Sequence, residues 1–175
     1  MKFYSILGCL LSLSLLASAQ QKQLQFPEDF LGVYKGTLEI TSTKGQQEID
    51  MEFHLLTTPT PGNYAYTLVY IADGKRQERH YSLIEKNKNK GQYMIDEHNG
   101  IFLNASVFGT TLYSVFEVSG NLLTTTETFY ENAMDFEITM ASKNQLLESK
   151  STDDTATKVI SYPVLTKQRA HLLKE

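Results

Sequence analysis

"QEIDMEFHLL", residues 47–56, sets Ile49, Met51, Phe53 and Leu55 against Glu48, Asp50, Glu52 and His54 in strict alternation. Successive side chains of an extended chain point to opposite sides, so a period of two marks a half-buried β-strand with one apolar and one polar face. The same alternation runs through Phe30, Tyr34, Leu38 and Ile40, with Lys35, Thr37, Glu39 and Thr41 facing outward. It recurs in Phe136, Ile138 and Met140 against Asp135, Glu137 and Thr139.

Between these runs lie "NYAYTLVYIA", "RQERHYSLIE", "GQYMIDE", "IFLNASVF", "TLYSVFEV" and "LLTTTETFY", and a last one falls near "TKVISYPVL". Their Tyr, Phe, Thr, Val and Ile content suits a pleated surface. Their separators are turn formers, and Asp73-Gly74 and Asn99-Gly100 are pairs that tight hairpins prefer because both positions accept positive φ. About ten strands follow, with no amphipathic helix of ordinary length between them. Short connections make sequence neighbours antiparallel spatial neighbours. A long meander leaves two raw edges unless it closes, so the expected fold is all-β, an antiparallel up-and-down barrel. A β-sandwich with longer crossovers is the alternative.

The chain opens "MKFYSILGCLLSLSLLASAQ": Lys2 is a short positive region, Phe3 to Leu16 an apolar stretch, and Ala17-Ser18-Ala19 a small-x-small cleavage site. That pattern reads as a secretory signal peptide over 1–19, followed by a single domain over 20–175. "ILGC" loosely resembles a lipoprotein acylation box at Cys9, but too few apolar residues precede it, so cleavage after Ala19 is favoured. The apolar stretch falls short of the ~20 residues that cross a bilayer, and no later segment supplies them. The exported chain is expected to be soluble, in the periplasm or outside the cell.

Cleavage removes the only cysteine and Lys2, shifting the formal charge from -4 to near -5. No disulfide, thiolate metal site or cysteine nucleophile then remains. A mildly acidic chain without a Lys/Arg stripe is not expected to bind nucleic acid or an anionic membrane surface. His54, His80, His98 and His171 are far apart and lack metal-site spacing, so neither a metal nor another cofactor is expected. There is no Gly-x-Ser-x-Gly elbow, and Asp153 and Asp154 sit in a polar loop where both stay ionised. The chain is therefore expected not to be an enzyme. Asp154-Thr155-Ala156 matches a short O-glycosylation pattern of some exported bacterial proteins, and Asn104-Ala105-Ser106 is a formal sequon within a strand.

Gly32-Val33-Tyr34 resembles the Gly-x-Trp signature that marks the first strand of lipocalins, with tyrosine in place of tryptophan. Arg169 resembles the C-terminal arginine that packs over that aromatic in the family. The resemblance, to secreted bacterial lipocalin-like (calycin-type) barrels, covers nearly the whole mature chain and implies a carrier of small molecules. Gly32 itself is expected to let a neighbouring strand or ring approach the backbone closely.

Small barrels either fill with side chains or keep a cavity for one ligand. The candidate ligand-binding residues are Tyr34, Phe53, Tyr66, Tyr70, Phe116 and Arg169, since tyrosine offers flat apolar area with a hydroxyl at its tip and an arginine can fix orientation. The expected activity is non-covalent binding of a small, largely apolar molecule. The alternative is a filled barrel acting as a partner-binding or envelope-associated module. In "YAYTLVYIA" both faces are apolar, and the outer one needs a cover: a loop, an N-terminal segment or a second copy of the chain in a homodimer.

Overall fold

The computed structural model describes residues 24–175, so the signal peptide read over 1–19, with Cys9, lies outside the described residues. Ten antiparallel strands close into one barrel: β1 (Gly32–Ser42), β2 (Gly45–Thr57), β3 (Asn63–Ala72), β4 (Lys75–Asn87), β5 (Gln92–Asp96), β6 (Phe102–Phe108), β7 (Thr111–Val118), β8 (Asn121–Phe129), β9 (Ala133–Ser142) and β12 (Val164–Lys174). β10 (Leu147–Lys150) and β11 (Lys158–Ser161) form a separate two-stranded hairpin between β9 and β12. Neighbours in sequence are neighbours in space around the wall, and β12 closes the circle against β1 and β9. No barrel strand has a free edge.

Two sequence expectations are corrected. The run near "TKVISYPVL" is not the closing strand; its Lys158–Ser161 part belongs to the exposed hairpin, and Val164–Lys174 closes the barrel. That strand buries only Ala170 and Leu172 while presenting Lys167, Arg169 and His171 outward, so its alternation carries little apolar signal. Phe30 does not belong to the first strand either, since it ends a short 3-10 turn, Glu28–Phe30, and β1 starts at Gly32.

The core is concentrated at one end. Phe26 and Phe30, from the segment that precedes β1, cap this end against Tyr93 and Phe129, with ring centroids 5.4 and 5.5 Å apart. Phe53 and Tyr34 continue the cluster, 5.8 and 6.0 Å from Phe129. Leu55, Leu83, Leu112, Met134 and Leu172 are fully buried in the same core. Each such side chain removed from water contributes roughly 1.5–3 kcal/mol before the entropy of ordering it.

The outer face of β3 is covered by the barrel's own charges. Arg76 binds both carboxylate oxygens of Glu52 at 2.8 Å and also pairs with Glu78. Glu52 and Glu78 are the register partners of Val69 on either side, so the ion cluster spans Val69, which is 0% exposed. The guanidinium holds the Glu52 carboxyl down to about 2. Among the described residues no helix is long and apolar enough to cross a membrane.

Candidate functional site

Inward side chains follow the period of two around the wall, and their size changes along the barrel axis. At the end opposite the aromatic cap they leave a cavity of about 480 Å³, open to solvent. Its walls are largely apolar and aromatic: Tyr66, Leu68 and Tyr70 from β3, Tyr81 from β4, Leu103 from β6 and Phe116 from β7. Arg79, Glu97 and Glu117 stand at the lining too. Arg79 lies over the Tyr70 ring at 5.5 Å, Glu117 pairs with Lys143, and Glu97 accepts a hydrogen bond from Asn99. Depressions of similar volume beside Lys88 and beside Asp50 lie more open on the outside.

The six candidate residues separate along the axis. Tyr66, Tyr70 and Phe116 meet in the cavity. Tyr34 and Phe53 are packed in the closed core, where the Tyr34 hydroxyl donates to the Phe30 carbonyl at 2.6 Å. Arg169 points outward from β12, opposite Glu39 and Glu137. Alternation explains this: Ala170 and Leu172 are buried, so their odd-numbered neighbours Arg169, His171 and Leu173 face solvent. The cation over the Tyr34 ring is Lys174, its Nζ 5.7 Å from the ring centroid. Gly32 makes room for that lysine, since a Cβ there would stand 2.7 Å from Lys174 Cε. Gly36 serves β12 more directly, because a Cβ at Gly36 would meet the His171 carbonyl oxygen at 2.6 Å.

One residue beneath the site escaped the sequence reading. On β8 the inward face runs Leu123, Thr125, Glu127, Phe129: two residues at the cavity wall, a carboxyl, then an aromatic of the closed core. Glu127 is 1% exposed, with Leu112 and Phe136 as its register partners on the two neighbouring strands. Its Oε1 accepts the Tyr66 hydroxyl at 3.0 Å, and its Oε2 has no hydrogen-bond partner. Burial pushes the carboxyl up to about 8, against the smaller opposing effect of Tyr66. Tyr70 is likewise pushed up to about 12 by burial. Period-two reading of "LLTTTETFY" would have found this carboxyl, because it shares a face with Leu123 and Phe129.

The histidines pair with neighbours on the outer wall: His54 with Glu52, His80 with Glu78, His171 with Asp135 and His98 with Ser82. No group of three potential metal ligands occurs among the described residues.

The barrel is similar to a solved structure, the S-type phycobiliprotein lyase CPES from Guillardia theta. The TM-score is 0.58 at 6% sequence identity, over 85% of this chain and 89% of that one. Neither a protein-family model nor a curated protein matches the sequence. The likeness is one of fold alone, and in this chain that fold is a closed barrel of ten antiparallel strands. It corrects the expectation that the chain is not an enzyme. That expectation rested on missing sequence motifs, and a protein named a lyase shares the fold, so the absence of those motifs does not exclude catalysis on it.

Proposed function

We propose that this chain is exported and that the open half of its barrel carries a small, largely apolar molecule. The observation that carries the reading is the cavity of about 480 Å³, within the size range of small-molecule sites. Binding would work by burial. Apolar ligand surface leaves water for the faces of Tyr66, Tyr70, Tyr81 and Phe116, at roughly 25 cal/mol per Å². The aromatic cap at the other end makes the cavity a cup rather than a channel. The export part rests on the apolar stretch and Ala17-Ser18-Ala19 of the N-terminus.

Native mass spectrometry tests both parts in one experiment. The protein recovered from its source cells is incubated with a lipid and metabolite extract and sprayed intact. The expected spectrum shows a chain beginning at Gln20 with an adduct that leaves on unfolding, and a Phe116→Ala variant that retains less of it. An adduct-free mass across several extracts removes the carrier reading, and a mass that includes residues 1–19 removes export.

A further inference from the structure

Glu127 is a buried carboxyl whose Oε2 meets no partner; it lies just beneath the cavity floor, bonded to Tyr66 of the lining and two residues along β8 from Thr125 of the lining. Buried polar atoms are almost always paired, so an orphan directly under a cavity floor points to a donor that reaches it from the cavity. Apart from Arg79, an exposed residue at the cavity lining, the described residues supply no base near this acid. Among the described residues no lysine, arginine or histidine is buried, and besides the tyrosines the other buried polar residues are Thr67, Thr111, Ser114 and Ser142. Ser114 is already committed, donating to the Asn104 carbonyl.

The walls above the carboxyl point the same way. Tyr66 and Tyr81 stack with centroids 6.1 Å apart, and Tyr70 and Phe116 complete an aromatic lining. The face of an aromatic ring attracts cations, and the site shows it: the barrel's own Arg79 sits over Tyr70. An acid at the base beneath aromatic walls is chemistry that selects an ammonium group with an apolar body.

Resting on the carrier reading, we infer that the cavity takes an apolar amine whose protonated nitrogen reaches past the floor at Tyr66 and Thr125 and donates a hydrogen bond to Glu127 Oε2. The titratable groups facing Glu127 are Tyr66, which already donates to Oε1, and Tyr70, which acts on it from the same strand. Both tyrosines are kept neutral by burial, and the partners on the other strands, Leu112 and Phe136, are apolar. The carboxyl therefore carries its own proton in the empty cup at neutral pH. Docking of an ammonium ionises it, and the carboxyl proton leaves to solvent.

Titration calorimetry with three ligands of one apolar body tests this: 1-naphthylmethylamine, 1-naphthalenemethanol and 1-naphthoic acid. The amine is expected to bind about tenfold or more tighter than the alcohol, the margin of one charge-assisted hydrogen bond, and the acid weakest. In buffers of different ionisation heat at pH 7, amine binding should release roughly one proton per ligand. A Glu127→Gln variant, checked for folding by circular dichroism, should bind amine and alcohol alike. Equal binding of all three ligands, or amine binding without proton release, overturns the amine inference and leaves the apolar cup standing. No binding by any of them overturns both.

Discussion

At the scale of single residues, Glu127 makes stability depend on pH in a direction opposite to ordinary acid denaturation. Its carboxyl titrates near 8 in the fold and near 4.5 in the unfolded chain. Below 4.5 both states hold the proton; between the two values only the folded state does, so rising pH favours the unfolded chain. The contribution of this group is full in acid, falls by up to about 1.4 kcal/mol per pH unit through that window, and is gone above it. Denaturant midpoints from pH 4 to 9 should show this decline in the native protein and its absence in Glu127→Gln. Parallel curves for the two proteins would show that the carboxyl ionises in the fold as it does in water. The residue was legible in principle, since its face is fixed by Leu123 and Phe129, but a run of threonines around it hides which side is inside. Arg169 shows the converse limit: a basic residue near the end of the chain matched a family feature, while the one-residue register of β12 turned it outward and brought Lys174 to Tyr34 instead.

At the scale of elements, nine of the barrel strands are legible because alternation and turn chemistry agree along them. β12 is not, because an antiparallel strand with wet charges outside and only Ala170 and Leu172 buried inside holds its place through its two partners rather than through its own composition. The β10–β11 hairpin illustrates the reverse, strand-like in sequence and dispensable in packing, with all residues of both strands exposed. The backbone N–H of Ser142 donates to the Pro163 carbonyl at 3.0 Å, so the chain returns to the barrel where it left. Loop-closure cost changes slowly with length, by about 0.6 kcal/mol per doubling. Replacing residues 146–161 with a two-residue Gly-Asn link should therefore leave the near-ultraviolet circular dichroism intact and shift the melting midpoint by less than about 5 °C. Loss of the tertiary signal would mean that the hairpin holds β9 and β12 together.

At the scale of the whole molecule, closure was predictable from the strand count and the short turns, whereas the axial split between packed and open halves was not. That split depends on which aromatic rings meet across the barrel. Phe30, Phe53 and Phe129 converge from three distant parts of the chain, and no local pattern states that they touch. Phe129→Ala should cost about 3–5 kcal/mol in unfolding free energy, because it empties the centre of that cluster. Phe116→Ala, at the wall of a space already open to water, should cost less than about 1.5 kcal/mol while weakening ligand retention. Urea unfolding of the two variants separates them; equal costs would mean that the upper half bears as much of the fold as the lower.

The aromatic cap has a consequence for how such a protein changes over generations. Phe26 and Phe30 close one end from a segment outside the barrel wall, so the aromatic cluster around Phe129 packs at the end away from the cavity. Substitutions around the rim are then nearly free of selection for folding. If the cup carries a ligand as proposed, a lineage could exchange one cargo for another there, a side chain at a time, without passing through variants that fail to fold.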